Sequence, residues 1–336
     1  MLMRSNELPI PYGWYALSFS DELAVGEVKP VRYFGKDLVL YRSESGRAVL
    51  LDAYCPHLGA HLGHGGSVVG ESIACPFHGW QFNGEGMCTS VPYAKNIPPR
   101  AKDKPCIDGY PITETNRMIW AWYHPRRIEP LFEVDVFPQM NEPGWTDAHR
   151  YEWEINTCLQ ETGENAVDIA HFVYVHTSEE MPRAEVELQD HRRVTTMISR
   201  LRALDESGAP DTTGEHWEET RLVSTSSGPG ITGQSFERMF TAFMVGALTP
   251  IEPGKVKMVW TFSQPEEQDE VQQLYFEGMI KHIVDEVGND IPIWENKMYQ
   301  SDPILCDGDG PIAKYRKWFS QFYDEGVEDA PVRLVK

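Results

Sequence analysis

The chain has 336 residues, 41% hydrophobic and 24% charged, which supplies a packed core and leaves too little charge for disorder. Lys and Arg total 30 against 51 for Asp and Glu, and the formal charge of −21 repels phosphate backbones and argues against a nucleic-acid partner. Six cysteines are too few for a disulfide scaffold, no window approaches a membrane span and the first fifteen residues lack an apolar signal core, so we expect a soluble protein of the reducing cytoplasm.

From about Val31 to Tyr123 the chain reads as short strands: VRYF, DLVLYR and AVLLDA, the last two flanking the turn SESG, then a hairpin at QFNGEGMC and a strand at MIWAWYH. Pro125 to Trp145 is Pro-rich, without pattern, and reads as a linker. After it come a strand, YEWEINTC, and a segment, LQETGENAVDIAHFVYVH, helical at least to Ala170. Strands follow at VTTMISRLRAL, ETRLVSTS, FERMFTAFMVGAL and KVKMVWTF. The helix EVQQLYFEGMIKHIVDEV carries apolar residues at Phe276, Met279, Ile280, Ile283, Val284 and Val287, and its pattern gives way at Gly288 and Asn289. A last helix, PIAKYRKWFSQFY, opens with Pro311 in its first turn. The expected fold is α+β: an all-β domain over 1–135, then a domain over 136–336 with an antiparallel sheet covered by helices in a helix-grip arrangement.

CPHLGAHLGHGGSVVGESIACPFHGW contains the pattern C-x-H-x17-C-x2-H, from Cys55 and His57 to Cys75 and His78. Each Gly- and Pro-rich loop offers one thiolate and one imidazole. A Cys2His2 zinc finger needs paired cysteines, then paired histidines on a helix, and neither order holds here. Chance placement of core cysteines and surface histidines is the other bland alternative. A Rieske [2Fe–2S] cluster, with two cysteines on one iron and two histidines on the other, meets the pattern. His61 and His64 lack a cysteine at ligand spacing and read as loop residues. Glycines in the loops let backbone amides approach the cluster.

CPHLGAH and CPFHGW resemble the cluster loops of Rieske non-haem iron oxygenases, the terminal (alpha-subunit) components of ring hydroxylases and related monooxygenases. Respiratory Rieske proteins have a disulfide where this chain has Ala60 and Phe77, and Trp80 also suits the oxygenase type. PYGWYALSFSDEL, DAYCPHLGAHLGHGG and IPIWENK…PILCDGDGPIAKYRKWFSQFY resemble the 3-ketosteroid 9α-hydroxylase subgroup. The resemblance spans nearly the whole chain. It implies a mononuclear iron site in the second half, where GENAVDIAHFVYVH supplies Asn165, Asp168, His171 and His176. Asn165, Asp168 and His171 recur every third residue and would share one helix face, so the helix must bend or end near Phe172 to aim His176 at the same ion.

Two histidines and one carboxylate are the ligand set of non-haem Fe(II) oxygenases. The acid candidates are Asp285, Glu286, Asp290, Glu295 and Asp302, and the D-I-x-I-W run of the relatives matches Asp290 to Trp294. By resemblance, Asp168 bridges His171 to His78 of the partner subunit, which implies a homotrimer. Asn165 is grouped with Asp168 as catalytic. The resemblance also implies a separate flavin and [2Fe–2S] reductase that brings electrons from NADH, and the lack of a Gly-rich dinucleotide fingerprint in this chain agrees with it. The implied reaction inserts one atom of O2 into a C–H bond of an apolar, steroid-like substrate in a pocket lined by Val173, Tyr174, Phe240, Phe243, Met244 and Trp260. An aromatic ring dihydroxylase, a demethylase and an electron carrier without catalysis are the alternatives.

Overall fold

The structure, a computed structural model, describes residues 2–3, 8–146, 149–202, 217–237 and 241–324. The chain divides into two compact units, 12–136 with 249–252, and 1–11 with 137–248 and 253–336. In the second of these, a short strand β1 (Leu2–Met3) pairs with Tyr299–Gln300.

The unit of residues 12–136 is built of strands. They are β2 (Gly13–Phe19), β3 (Val28–Tyr33), β4 (Lys36–Arg42), β5 (Ala48–Asp52), β6 (Ser67–Val69), β7 (Ser72–Ala74), β8 (Gln81–Phe82), β9 (Cys88–Ser90), β10 (Gly109–Tyr110), β11 (Ile112–Thr115) and β12 (Met118–Tyr123). They pair in the orders β10-β5-β4-β3, β11-β12-β2 and β6-β7-β8-β9. Two hairpins use two-residue turns with positive φ at both centres, Phe34-Gly35 (57° and 72°) and Asn116-Arg117 (52° and 60°), whose twist matches the strands they join. The strand expected over VRYF therefore ends at Tyr33, because Phe34 is a turn residue. In the expected hairpin QFNGEGMC, β8 and β9 do pair, and the Asn83 side chain accepts from the amides of Glu85 (3.2 Å) and Met87 (2.9 Å). Val39, Tyr41, Val49, Leu51, Leu62 and Ile73 pack beneath the loops that carry Cys55 and Cys75.

In the other unit the expected linker holds a short helix, α1 (Pro138–Asn141). Then come β13 (His149–Ile155), α2 (Leu159–Glu164), α3 (His171–Tyr174), β14 (Arg183–Gln189), β15 (Arg192–Arg202), β16 (Trp217–Ser227), β17 (Ile231–Glu237), β18 (Phe243–Glu252) and β19 (Lys255–Ser263). One seven-stranded antiparallel sheet has the order β13-β19-β18-β17-β16-β15-β14. The segment FERMFTAFMVGAL is thus two strands and not one, and residues 238–240 between them lie outside the described residues.

Helix α4 (Glu270–Asn296) starts at a capping box in which Asp269 and Gln272 bond each other's amides. Phe276 and Ile280 on α4 pack on Ala242, Met244 and Phe262 of the sheet side, so the fold is α+β as expected. The helix does not stop at Gly288 and Asn289. Both are exposed, so their weak helix propensity is overridden by the buried face, where Val287, Asp290 and Trp294 continue the stripe of Phe276, Ile280 and Ile283. The last helix, α5 (Ile312–Phe319), begins after Pro311, which caps it and does not occupy its first turn. No described helix is long and apolar enough to cross a membrane.

Candidate metal centres and the adjoining cavity

The two cluster loops are copies of one turn. Cys55 and Cys75 each accept, through the carbonyl, from a glycine amide four residues on, Gly59 and Gly79, both at 2.9 Å. Each cysteine amide donates one residue further, to Ala60 (2.9 Å) and Trp80 (2.8 Å). Gly59 and Gly79 take φ of 77° and 70°, the left-handed region that glycine adopts without strain. The sequence signal for this repeat was C-P-x-x-G, present twice.

These turns bring the His57 and His78 rings to 4.8 Å between centroids, with His57 stacked on Trp80 at 4.7 Å. Both cysteines are buried. Burial pushes the Cys55 thiol up to about 11, and the neighbouring Cys75 adds to the rise, so a thiolate at Cys55 needs a bound cation. The buried Nδ1 of His78 has no hydrogen-bond partner among the described residues. Two thiols, two imidazoles and an orphaned ring nitrogen fit a two-iron cluster of the Rieske type. His61 and His64 instead face each other at 4.5 Å, and His61 Nδ1 accepts from the Gly63 amide.

The second group mixes local and distant sequence. Contrary to expectation, α2 ends at Glu164, and Asn165, Asp168 and His171 do not share a helix face. The Asp168 carboxylate captures the amides of Ala170 (3.0 Å) and His171 (3.3 Å), a local turn between the end of α2 and the start of α3. The break lies before His171, and α3 ends at Tyr174, which turns His176 back toward His171 at 5.0 Å between ring centroids. One donor atom each from His171, His176 and Asp290 lies within 4.8 Å of the others. Asp290 reaches this place because it occupies the buried stripe of α4, a carboxylate where the pattern calls for an apolar residue.

The electrostatics favour a cation. Burial pushes Asp290 up to about 6, opposed by the histidine charge and by a hydrogen bond from Asn165, and it lowers His176 to about 4. His176 Nε2 stands 3.4 Å from Asp290 Oδ2, while its Nδ1 is buried without a hydrogen-bond partner among the described residues. His171 Nδ1 lies 2.8 Å from the Asp168 carbonyl, which leaves Nε2 free to ligate. The donor set fits a divalent ion held by two imidazoles and one carboxylate. Asn165 also accepts from Trp294 Nε1 at 3.3 Å. Of the other acids, Asp285 pairs with Lys281, Glu295 accepts from Asn156 and Asp302 is exposed. Glu286 lies 4.0 Å from His176 Nδ1 and pairs with His282.

A cavity opens onto His171, His176 and Asp290, and its far wall is the inner face of the sheet, including Met197, Leu222, Phe236, Met244 and Trp260. Of the expected lining, Met244 and Trp260 are there. Phe243 points to the opposite face, against Phe137 at 5.2 Å, as alternation along β18 requires. Tyr174 is 82% exposed, Val173 is absent from the lining, and Phe240 lies outside the described residues. Sequence reasoning missed two polar members of the wall, Arg193 and Thr195.

Residues 13–107 match the Rieske [2Fe-2S] domain, and residues 121–323 match the 3-ketosteroid 9α-hydroxylase C-terminal domain. The chain is 35% identical to a cholesterol 7-desaturase of Xenopus laevis, over 95% of this chain and 73% of that protein. It is 31% identical to a probable 3-ketosteroid-9-alpha-monooxygenase oxygenase component of Rhodococcus rhodochrous, over 96% of this chain and 82% of that one. Among solved structures, apo dicamba monooxygenase superposes with a TM-score of 0.69 at 16% identity, covering 94% of this chain and 97% of that one. NdmA of Pseudomonas putida with caffeine gives 0.72 at 20%, covering 91% and 89%; at such identities the likeness is one of fold.

Proposed function

As the chain belongs to the Rieske oxygenases that carry the C-terminal domain of 3-ketosteroid 9α-hydroxylase, we propose that it hydroxylates a C–H bond of an apolar polycyclic substrate, a 3-ketosteroid first among them. The observation that carries this reading is the apolar cavity opening directly onto His171, His176 and Asp290. Cys55, His57, Cys75 and His78 would hold the [2Fe–2S] cluster, and the trio would hold a mononuclear iron. Together these groups supply one-electron transfer and O2 activation when bound.

The protein's own part is placement. The Asp168 carbonyl fixes the ring of His171 by taking its Nδ1 proton in a hydrogen bond. Asn165 steadies Asp290 and is itself held by Trp294. Met244, Trp260 and their neighbours exclude water and bind the flat substrate by apolar contact. We assign the Rieske domain to residues 1–135 and the catalytic domain to 136–336, apart from residues 1–11 and 249–252, which group with the opposite unit, with a separate flavin and [2Fe–2S] reductase carrying electrons from NADH. Asp168, its carboxylate 31% exposed, would also accept from His78 of the partner subunit in a homotrimer.

The cholesterol 7-desaturase relatives support a second reading, removal of two hydrogens from a sterol. Reaction of the loaded protein with a ferredoxin-type reductase system, NADH, labelled O2 and either a 3-ketosteroid or a sterol separates them by product mass. Gain of one labelled oxygen supports hydroxylation, loss of two hydrogens supports desaturation, and no product from either class overturns both.

A further inference from the structure

The inner face of the sheet is graded. Strand pairing sets Arg193 opposite Ser226 and Ser226 opposite Thr232, then Thr195 opposite Ser224 and Ser224 opposite Gln234, then Met197 opposite Leu222 and Leu222 opposite Phe236. The wall therefore runs from a polar row to an apolar one. Arg193 is 3% exposed and Thr195 1%, yet both line the cavity that reaches the metal-binding trio.

Arg193 is a buried cation with no carboxylate in ion-pair range among the described residues. Its Nη2 donates to Ser226 Oγ (2.7 Å), its Nη1 to the Gly163 carbonyl (3.5 Å), and its guanidinium lies over the rings of Tyr315 (5.3 Å) and Trp318 (5.9 Å). Among the described residues its Nε–H has no hydrogen-bond partner, and neither has the hydroxyl of Thr195, two residues along on the same strand face. A buried donor left unpaired is costly, and Arg can only donate.

We propose that Arg193 and Thr195 form the anchor for a carbonyl oxygen on the substrate, so the pocket selects a ketone. This rests on the polycyclic-substrate reading above and adds to it the polar recognition element. The anchor also discriminates within that class, because an alcohol brings its own proton to a site already rich in donors.

The test is equilibrium binding to the full-length, metal-loaded protein, read by quenching of tryptophan fluorescence, with androstane, androstanol and androstanone as probes. Androstanone should bind about tenfold or more tightly than androstane, the difference expected of a hydrogen bond that satisfies a buried donor, with androstanol weaker than androstanone. Thr195→Val, which keeps the side-chain shape, and Arg193→Gln should each bring androstanone down toward androstane and leave androstane unchanged. Equal binding of androstanone and androstane by the wild type, or an equal loss of both in Thr195→Val, overturns the anchor while leaving the polycyclic reading intact. Androstanol binding as tightly as androstanone overturns the preference for a carbonyl. Failure of all three probes to bind overturns the polycyclic reading and the anchor with it.

Discussion

His171 Nδ1 is held by the main-chain oxygen of Asp168 at 2.8 Å, while the Asp168 carboxylate stays 3.8 Å from the same nitrogen and caps the following turn through two amides. The backbone orients the ring, and the carboxylate shapes the backbone. Asp168 therefore has charge to spare for a second partner.

That division of labour makes Asp168→Asn informative. The amide oxygen can still accept from Ala170 and His171, and the carbonyl is untouched. The variant should retain both iron contents and both spectra while turnover falls by about tenfold or more, as for loss of a charge-assisted hydrogen bond. Normal turnover would remove Asp168 from the electron path.

His171→Ala and Asp290→Ala should each abolish turnover and bring mononuclear iron to near zero, with the Rieske absorbance and electron-paramagnetic signal unchanged. Metal analysis beside spectroscopy decides this. Asp290→Ala with full mononuclear iron would transfer the ligand role to Glu286, whose carboxylate is also beside His176.

The paired turns give an internal control. Alanine at Gly59 or Gly79 faces the same left-handed backbone, a strain of about 1–2 kcal/mol. A Cβ at Gly59 meets nothing within 4 Å, whereas at Gly79 it meets Pro92 Cγ at 3.2 Å. Gly79→Ala should lower the melting temperature more than Gly59→Ala and lose more cluster, measured as absorbance per protein.

Arg42 is buried and grips Glu114 through two hydrogen bonds of 2.9 Å. The hydrogen bond from Arg42 holds the Glu114 carboxyl below its ordinary range, against the opposing effect of burial. A depressed carboxylate contributes stability above its unfolded pKa and loses it as pH falls through the folded one. Glu114→Gln should cost about 2 kcal/mol at neutral pH, with the gap to wild type closing in the acid range below the usual glutamate value. A gap independent of pH in thermal melts would mean that the charge contributes nothing.

The cysteine and histidine pairs were legible because their spacing is local: each turn is complete within six residues of chain. Five apolar runs marked the sheet, but β14 was missed because RAEVELQ is an edge strand with few apolar residues, and the gap between β17 and β18 was hidden, since FERMFTAFMVGAL reads as one run. Helix α2 was overextended because Asp168 looks helix-compatible, although its side chain captures the amides two and three residues on. Asp290 needed the length of α4, and Gly288 and Asn289 concealed it by resembling a stop. Arg193 gave no signal at all. Next to Arg192 it reads as one more surface cation, and only the strand register turns it inward.

That register has a consequence for selectivity. The rows across the sheet are two residues apart along each strand, about 6.6 Å, a step longer than the spacing between neighbouring carbons in a fused ring. For a molecule tethered at one row, strand pairing rules the steps by which that tether can be moved. Position of attack then follows from how far the tether stands from the metal-binding trio, and it can be redrawn by moving the polar pair from Thr195 to Met197 without touching a ligand.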